Sequence, residues 1–152
     1  MKLKKWQVRG GLGLGVLLVV IQLVPYGRVH ENPPVTGEPP WGSPEVRALA
    51  ARACFDCHSN QTKWPWYSFV APVSWFIAGD VYDARGDMNF SEWDKPQEAK
   101  KAPKLVRNRA MPLKPYLWLH ADADLTSEER ERLAKGLAAI IEQSKERERE
   151  DD

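Results

Sequence analysis

The run Cys54-Phe55-Asp56-Cys57-His58 contains both cysteines of the chain and one of its three histidines. Two thiols three positions apart, followed at once by an imidazole, match the attachment signature of a c-type haem. The chemistry sets the spacing. Each thiol adds across a vinyl C=C bond of the porphyrin, sulfur to one carbon and hydrogen to the other, and the iron takes an imidazole beneath the ring. On a helix, offsets of zero, three and four bring Cys54, Cys57 and His58 to one face. Cys54 and Cys57 are then the thioether anchors of a single haem c, and His58 is the proximal iron ligand. Three plainer chemistries fit less well. A dithiol redox pair belongs beside a βαβ pattern, which is missing here. A zinc site needs a second pair of ligands, and no further cysteine exists. A disulfide between positions three apart closes a very small, strained loop.

The other side of the iron needs a ligand distant in sequence. Met111 lies in Ala110-Met111-Pro112-Leu113, a proline-bounded loop that can carry a thioether over the opposite face. Methionine is more often a gap-filler in a core, so the loop position carries the assignment. His120 is the rival, its plainer role being a hydrogen-bonded histidine. Met88 is a weaker candidate beside a turn, and His30 falls in a proline-rich linker, where it is expected to be solvated. Histidine with methionine raises the reduction potential relative to two histidines.

Positioning these residues is the task of 152 residues, enough for one domain and little more. Proline and tryptophan are frequent and strand-like alternation is scarce, which predicts an all-α fold with proline-punctuated loops. The net charge of +1 hides a basic head (Lys2, Lys4, Lys5, Arg9) and a basic middle stretch (Lys95, Lys100, Lys101, Lys104, Arg107, Arg109, Lys114). Neither cluster carries a nucleic-acid motif, so no nucleic-acid partner is read.

Residues 1–26 read as an uncleaved signal anchor. The apolar run Val8 to Val24 is roughly 17 residues, near the lower end of the ~20 that cross a bilayer. It has no polar face to show to water, and Leu23-Val24-Pro25-Tyr26 offers no small-residue cleavage site. The basic head keeps the N-terminus cytoplasmic, so the rest of the chain faces the other side. Residues 27–43 read as a proline-rich linker, with Trp41 packing on the domain beyond it. Residues 44–144 form the haem-binding domain and 145–152 a charged, fraying tail.

Within the domain, Ser43 is an N-cap with Pro44 at the first helical position, and this helix delivers the cysteines at its end. A second helix is expected from about Pro72 to Asp83, burying Val73, Phe76, Ile77 and Val81. A basic helix starts at Pro96 and runs toward Arg109, and a short one lies around Tyr116 to His120. Thr126 to Glu129 is a capping box opening a last helix that buries Leu133, Leu137, Ile140 and Ile141, with Gly136 allowing close approach of another helix.

Several blocks together resemble the haem-binding domain family, a cytochrome c-like group of monohaem proteins. They are Cys54 to Asn60, Trp64 to Ser68, Ala71-Pro72-Val73-Ser74-Trp75, Asn89 to Trp93, Met111-Pro112-Leu113 with Tyr116 and His120, and Leu125-Thr126. The resemblance spans roughly residues 41 to 141. It implies a small helical cytochrome c fold with covalent haem behind an N-terminal anchor, in the bacterial inner membrane with the haem domain on the periplasmic or outer side. The chain departs from the family in having Arg85-Gly86 before Asn89 and in lacking a tryptophan late in its final helix. The expected function is a membrane-anchored c-type cytochrome that passes single electrons between redox partner proteins, a carrier rather than an enzyme. The alternative is a haem peroxidase or a gas or redox sensor with a labile distal ligand.

Overall fold

The computed structural model of the chain describes residues 4–151, so Lys2 of the basic head lies outside the described residues. The fold is all-helical, as expected. Among the described residues, seven α-helices and four short 3-10 turns account for the helical structure. Among the described residues the only β pairing is an isolated bridge between Gly37 and Glu92. The chain divides into two units, one made of the residues up to Glu31 with Trp64–Val81, the other of Asn32–Lys63 with Tyr82–Asp152.

In the first unit, α1 (Lys5–Val20) continues as a 3-10 turn, Ile21–Leu23. These 19 residues are long and apolar enough to cross a membrane, and none of their window is buried in the protein. At the end of this helix the Gln22 amide pairs with both backbone groups of Ala71, donating to its carbonyl at 2.9 Å and accepting from its N–H at 3.0 Å. Gly27 adopts φ +73°, and a Cβ there would collide with the Ser74 carbonyl, so only glycine fits this turn. His30 is not solvated as its linker position predicted. Its ring stacks on Trp64 (centroids 4.2 Å, 5° between planes), meets Phe69 edge-on, and has both nitrogens shielded without a hydrogen-bond partner. Local composition marks residue 30 as loop, and partners 34 and 39 positions away leave no trace in it.

The first turns of α4 (Val73–Asp87) belong to this unit, its last turns to the other. Its buried positions in the helix are Ser74 and Val81, whereas Val73 and Phe76 are exposed, against the expected buried stripe. Apolar residues lie all around its first two turns, so periodicity could not choose the inner face.

The second unit is built on α2 (Pro44–Ala53) and α7 (Ser127–Asp151). The Ser43 hydroxyl caps α2 by accepting from the Val46 N–H at 3.2 Å, and Thr126 and Glu129 cap α7 reciprocally at 3.2 and 2.8 Å. A Cβ on Gly136 would lie 2.5 Å from a Val46 methyl, so α2 and α7 meet where glycine permits. Leu133, Leu137 and Ile140 join Val46, Leu49, Phe55 and Phe90 in one core. Helix α7 runs on to Asp151, through the charged stretch that composition read as fraying. The basic helix is shorter than expected: a 3-10 turn Ala99–Lys101 leads into α5 (Ala102–Arg107), and α6 (Lys114–Leu117) comes after a loop. Residues 32–43, within the stretch read as linker, are fastened to the domain. Thr36 and Gly37 donate to the Ser91 carbonyl, the Glu38 carboxylate takes both Arg47 and the Trp41 indole, and the Trp41 ring lies on Phe55 and Phe90.

Candidate haem site

The cysteine run sits at a break between two helices. Helix α2 ends at Ala53, Cys54 leaves helical geometry (φ −129°, ψ −32°), and α3 (Phe55–His58) restarts at once. One turn results: the Cys54 carbonyl accepts from Cys57 N–H at 3.1 Å and His58 N–H at 2.8 Å. Neither cysteine is in a disulfide, and both are half-buried. Burial pushes the Cys54 thiol up to about 12, with the neighbouring Cys57 adding to the shift, so its sulfur is protonated at neutral pH.

His58 is oriented from α4. Its Nδ1 lies 3.0 Å from the carbonyl oxygens of both Ala84 and Met88. Carbonyls only accept, so Nδ1 carries the proton and the lone pair is on Nε2. A metal-binding histidine takes this tautomer, and a backbone acceptor on the far nitrogen fixes its ring and strengthens it as a donor. Two thiols outside any disulfide on one turn, and an imidazole with this tautomer, fit a covalently held haem.

The block Asn89 to Trp93 clamps the residues after the run. Phe90 N–H donates to the His58 carbonyl at 2.8 Å. The Ser91 hydroxyl accepts from Asn60 N–H at 3.0 Å, and the Asn89 amide donates to the Asn60 side chain at 2.9 Å. Phe90 is fully buried, between Phe55 and Trp93. Arg85 adds a second tie, its guanidinium donating to the Ser59 carbonyl, the Thr62 hydroxyl and the Asn32 side chain at 2.9–3.0 Å. The sequence signal for these roles was the pair of short polar side chains flanking Phe90, but their partners lie about 30 positions away.

Met88 packs in the core, with 7% exposure, and its carbonyl meets His58 Nδ1. Met111 is half-buried in the loop after α5. Its N–H donates to the Leu105 carbonyl at 3.1 Å, and its own carbonyl accepts from the buried Arg130, which also pairs with Asp124. Arg130 is a positioning residue that sequence reasoning missed. His120 stacks on Tyr116 (centroids 4.0 Å, 8°) and donates from Nδ1 to the Tyr116 carbonyl at 3.0 Å, the same tautomer as His58. Tyr116 in turn donates its hydroxyl to Asp56 at 2.8 Å. The segment carrying both distal candidates is thereby tied to the middle of the cysteine run.

Of the basic middle stretch, Arg107 is engaged with Glu131 at 2.8 Å, and Lys104 and Arg109 are exposed. No curated protein and no solved structure matches the chain. Residues 16–139 match the model of the family described as the haem-binding domain. That match covers far more than half of the chain and both helices that hold the cysteine run, and the chain belongs to the haem-binding domain family.

Proposed function

We propose that the protein is a membrane-anchored, cytochrome c-like electron carrier with one covalent haem. Cys54 and Cys57 are its thioether anchors, His58 its proximal ligand and Met111 its distal ligand, with His120 the rival for that place. The observation that carries the reading is His58: an imidazole directly after a Cys-x-x-Cys pair that forms no disulfide, held by two carbonyls with its lone pair on Nε2. A haem held there supplies a one-electron ferric–ferrous couple. The protein's part is to keep the couple's surroundings fixed. The Ala84 and Met88 carbonyls set the ring of His58, and Asn89, Phe90, Ser91 and Arg85 hold the backbone just after it. Little then has to rearrange when charge changes. The reading places the haem domain on the outer side of a bacterial inner membrane, where redox partner proteins meet it.

The test is spectroscopy on protein matured with a c-type haem attachment system. Wild type is expected to retain haem through denaturing electrophoresis, and Cys54→Ala with Cys57→Ala to lose it. Haem that stays covalent in the double variant sinks the assignment. Met111→Ala is expected to abolish the sulfur-to-iron charge-transfer band, lower the reduction potential and admit carbon monoxide, while His120→Ala leaves the band in place. The reverse pattern gives the ligand role to His120. Wild type that already binds carbon monoxide readily favours the sensor or peroxidase alternative.

A further inference from the structure

Residues 64–79 contain no Asp, Glu, Lys or Arg, in a chain whose composition is 28% charged. The segment nevertheless lies largely at the surface. Trp66 is 79% exposed, Phe76 71% and Phe69 51%, and Val70 and Val73 are exposed beside them. Val73 and Phe76 lie three apart on α4, so they share one face of its first turn. A free surface this apolar needs a cover.

Its position along α1 says what covers it. The helix with its 3-10 extension is 19 residues, about 28 Å at about 1.5 Å per residue, close to the ~30 Å of a bilayer's hydrocarbon core. Gln22 therefore falls at the boundary where that span ends. Its side chain grips both backbone groups of Ala71, at 2.9 and 3.0 Å, and the Gly27 turn packs against the Ser74 carbonyl. Residues 71–74 are thus fixed at the depth of the helix end. Trp66, Phe69, Val70, Val73 and Phe76 flank that point within about five residues on either side. Tryptophan and phenylalanine without neighbouring charge are the residues that settle among headgroups and upper acyl chains.

We propose that residues 64–79 form an interfacial foot, seated in the lipid surface around the end of α1. The inference rests on the anchor reading of α1 and adds a second membrane contact to it. Its role is to restrict the tilt of the unit relative to the bilayer, since one helix alone leaves that free.

The test uses the full-length holoprotein in phosphatidylcholine liposomes containing a lipid with a diazirine near the acyl carbonyl, with adducts mapped by mass spectrometry. Adducts are expected on α1 and on peptides carrying Trp66, Phe69 and Phe76. Trp118 and Leu119, comparably exposed in the other unit, serve as the apolar control and are expected to stay at least tenfold lower. Trp66→Ser with Phe76→Ser is expected to cut adducts on residues 64–79 severalfold while α1 stays labelled and the haem spectrum is unchanged. Labelled α1 with an unlabelled foot overturns the inference and leaves the anchor standing. An unlabelled α1 overturns both. Equal labelling of Trp118 and Leu119 overturns the inference by showing that exposure alone accounts for it.

Discussion

The Ala84 and Met88 carbonyls hold the proton of His58 on Nδ1 and leave its lone pair on Nε2. Tyr116 is likewise set by a hydrogen bond at the other end of the site. Its phenol donates to Asp56, and burial, reinforced by that carboxylate, raises its pKa well above the usual 10.0. A group whose pKa is raised on folding stabilises the fold while it stays protonated. Its contribution is complete below about pH 10 and is lost as pH climbs toward the raised value. Tyr116→Phe keeps the ring against His120 but leaves Asp56 without this donor. A hydrogen bond to a charged group is worth roughly 1.5–3 kcal/mol, and partial exposure brings the expected loss below that range, to about 1 kcal/mol. Urea unfolding at pH 7 measures it. The second signature is in the pH series: wild type is expected to lose stability above pH 10, and the variant to lose less over the same range. Equal slopes would remove Tyr116 from the account. At this scale what is local is legible in the sequence. Cys54, Cys57 and His58 are neighbours, so their spacing could be read directly. The grips on Asn60 by Asn89 and Ser91, and on the Met111 loop by Arg130, join residues 19 to 31 positions apart, and no window shows them.

Among the elements, α2 and α7 carry the second unit, and their crossing is set by Gly136 against Val46. The two methyls of Val46 lie 2.5 and 2.9 Å from where a Cβ would stand, too close for any side chain without movement. Two effects oppose each other in Gly136→Ala. Alanine gains about 1 kcal/mol of helix propensity over glycine, and overpacking costs typically 1–3 kcal/mol. The single variant is expected to be less stable by up to about 2 kcal/mol. In a Val46→Ala background the clash is gone, so the same change is expected to stabilise by up to about 1 kcal/mol. A double-mutant cycle on denaturation midpoints checks the reversal of sign, and a substitution equally harmful in both backgrounds contradicts the contact. Glycine at this position, the Ser43 cap and the Thr126–Glu129 box were all legible in advance, because capping and close approach leave short-range signals. The inner face of α4 was not. Its first turns are apolar on every side, and packing buries Ser74 while Val73 and Phe76 stay exposed. Composition read residues 27–43 as a proline-rich linker with Trp41 packing on the domain; Trp41 does pack there, and the tie of Glu38 to Arg47 of α2 left no such signal.

For the molecule as a whole, the deciding matter is whether α1 stays with the mature protein. A signal peptide is discarded, so nothing in the mature fold depends on it. Here Gln22 satisfies both backbone groups of Ala71 and accepts from Arg28 at 3.1 Å. Cleavage beyond Tyr26 would leave those groups to water and strip the apolar segment 64–79 of its neighbour. Retention matches the sequence on both flanks: Lys4, Lys5 and Arg9 before the span, and no small-residue cleavage pattern after it. The full-length chain is therefore expected in the membrane fraction, resistant to extraction by high salt and released by detergent. Protease added to spheroplasts is expected to digest residues after the span and spare the N-terminal end, since positive charge holds that end in the cytoplasm. Replacing Lys2, Lys4, Lys5 and Arg9 with glutamine removes the bias and is expected to make part of the population protease-resistant. Recovery of a soluble chain starting near Arg28 would show the segment to be cleaved. It would also require Ala71 and its neighbours to find other partners, which hydrogen exchange at Ala71 would detect as faster exchange than in the full-length protein.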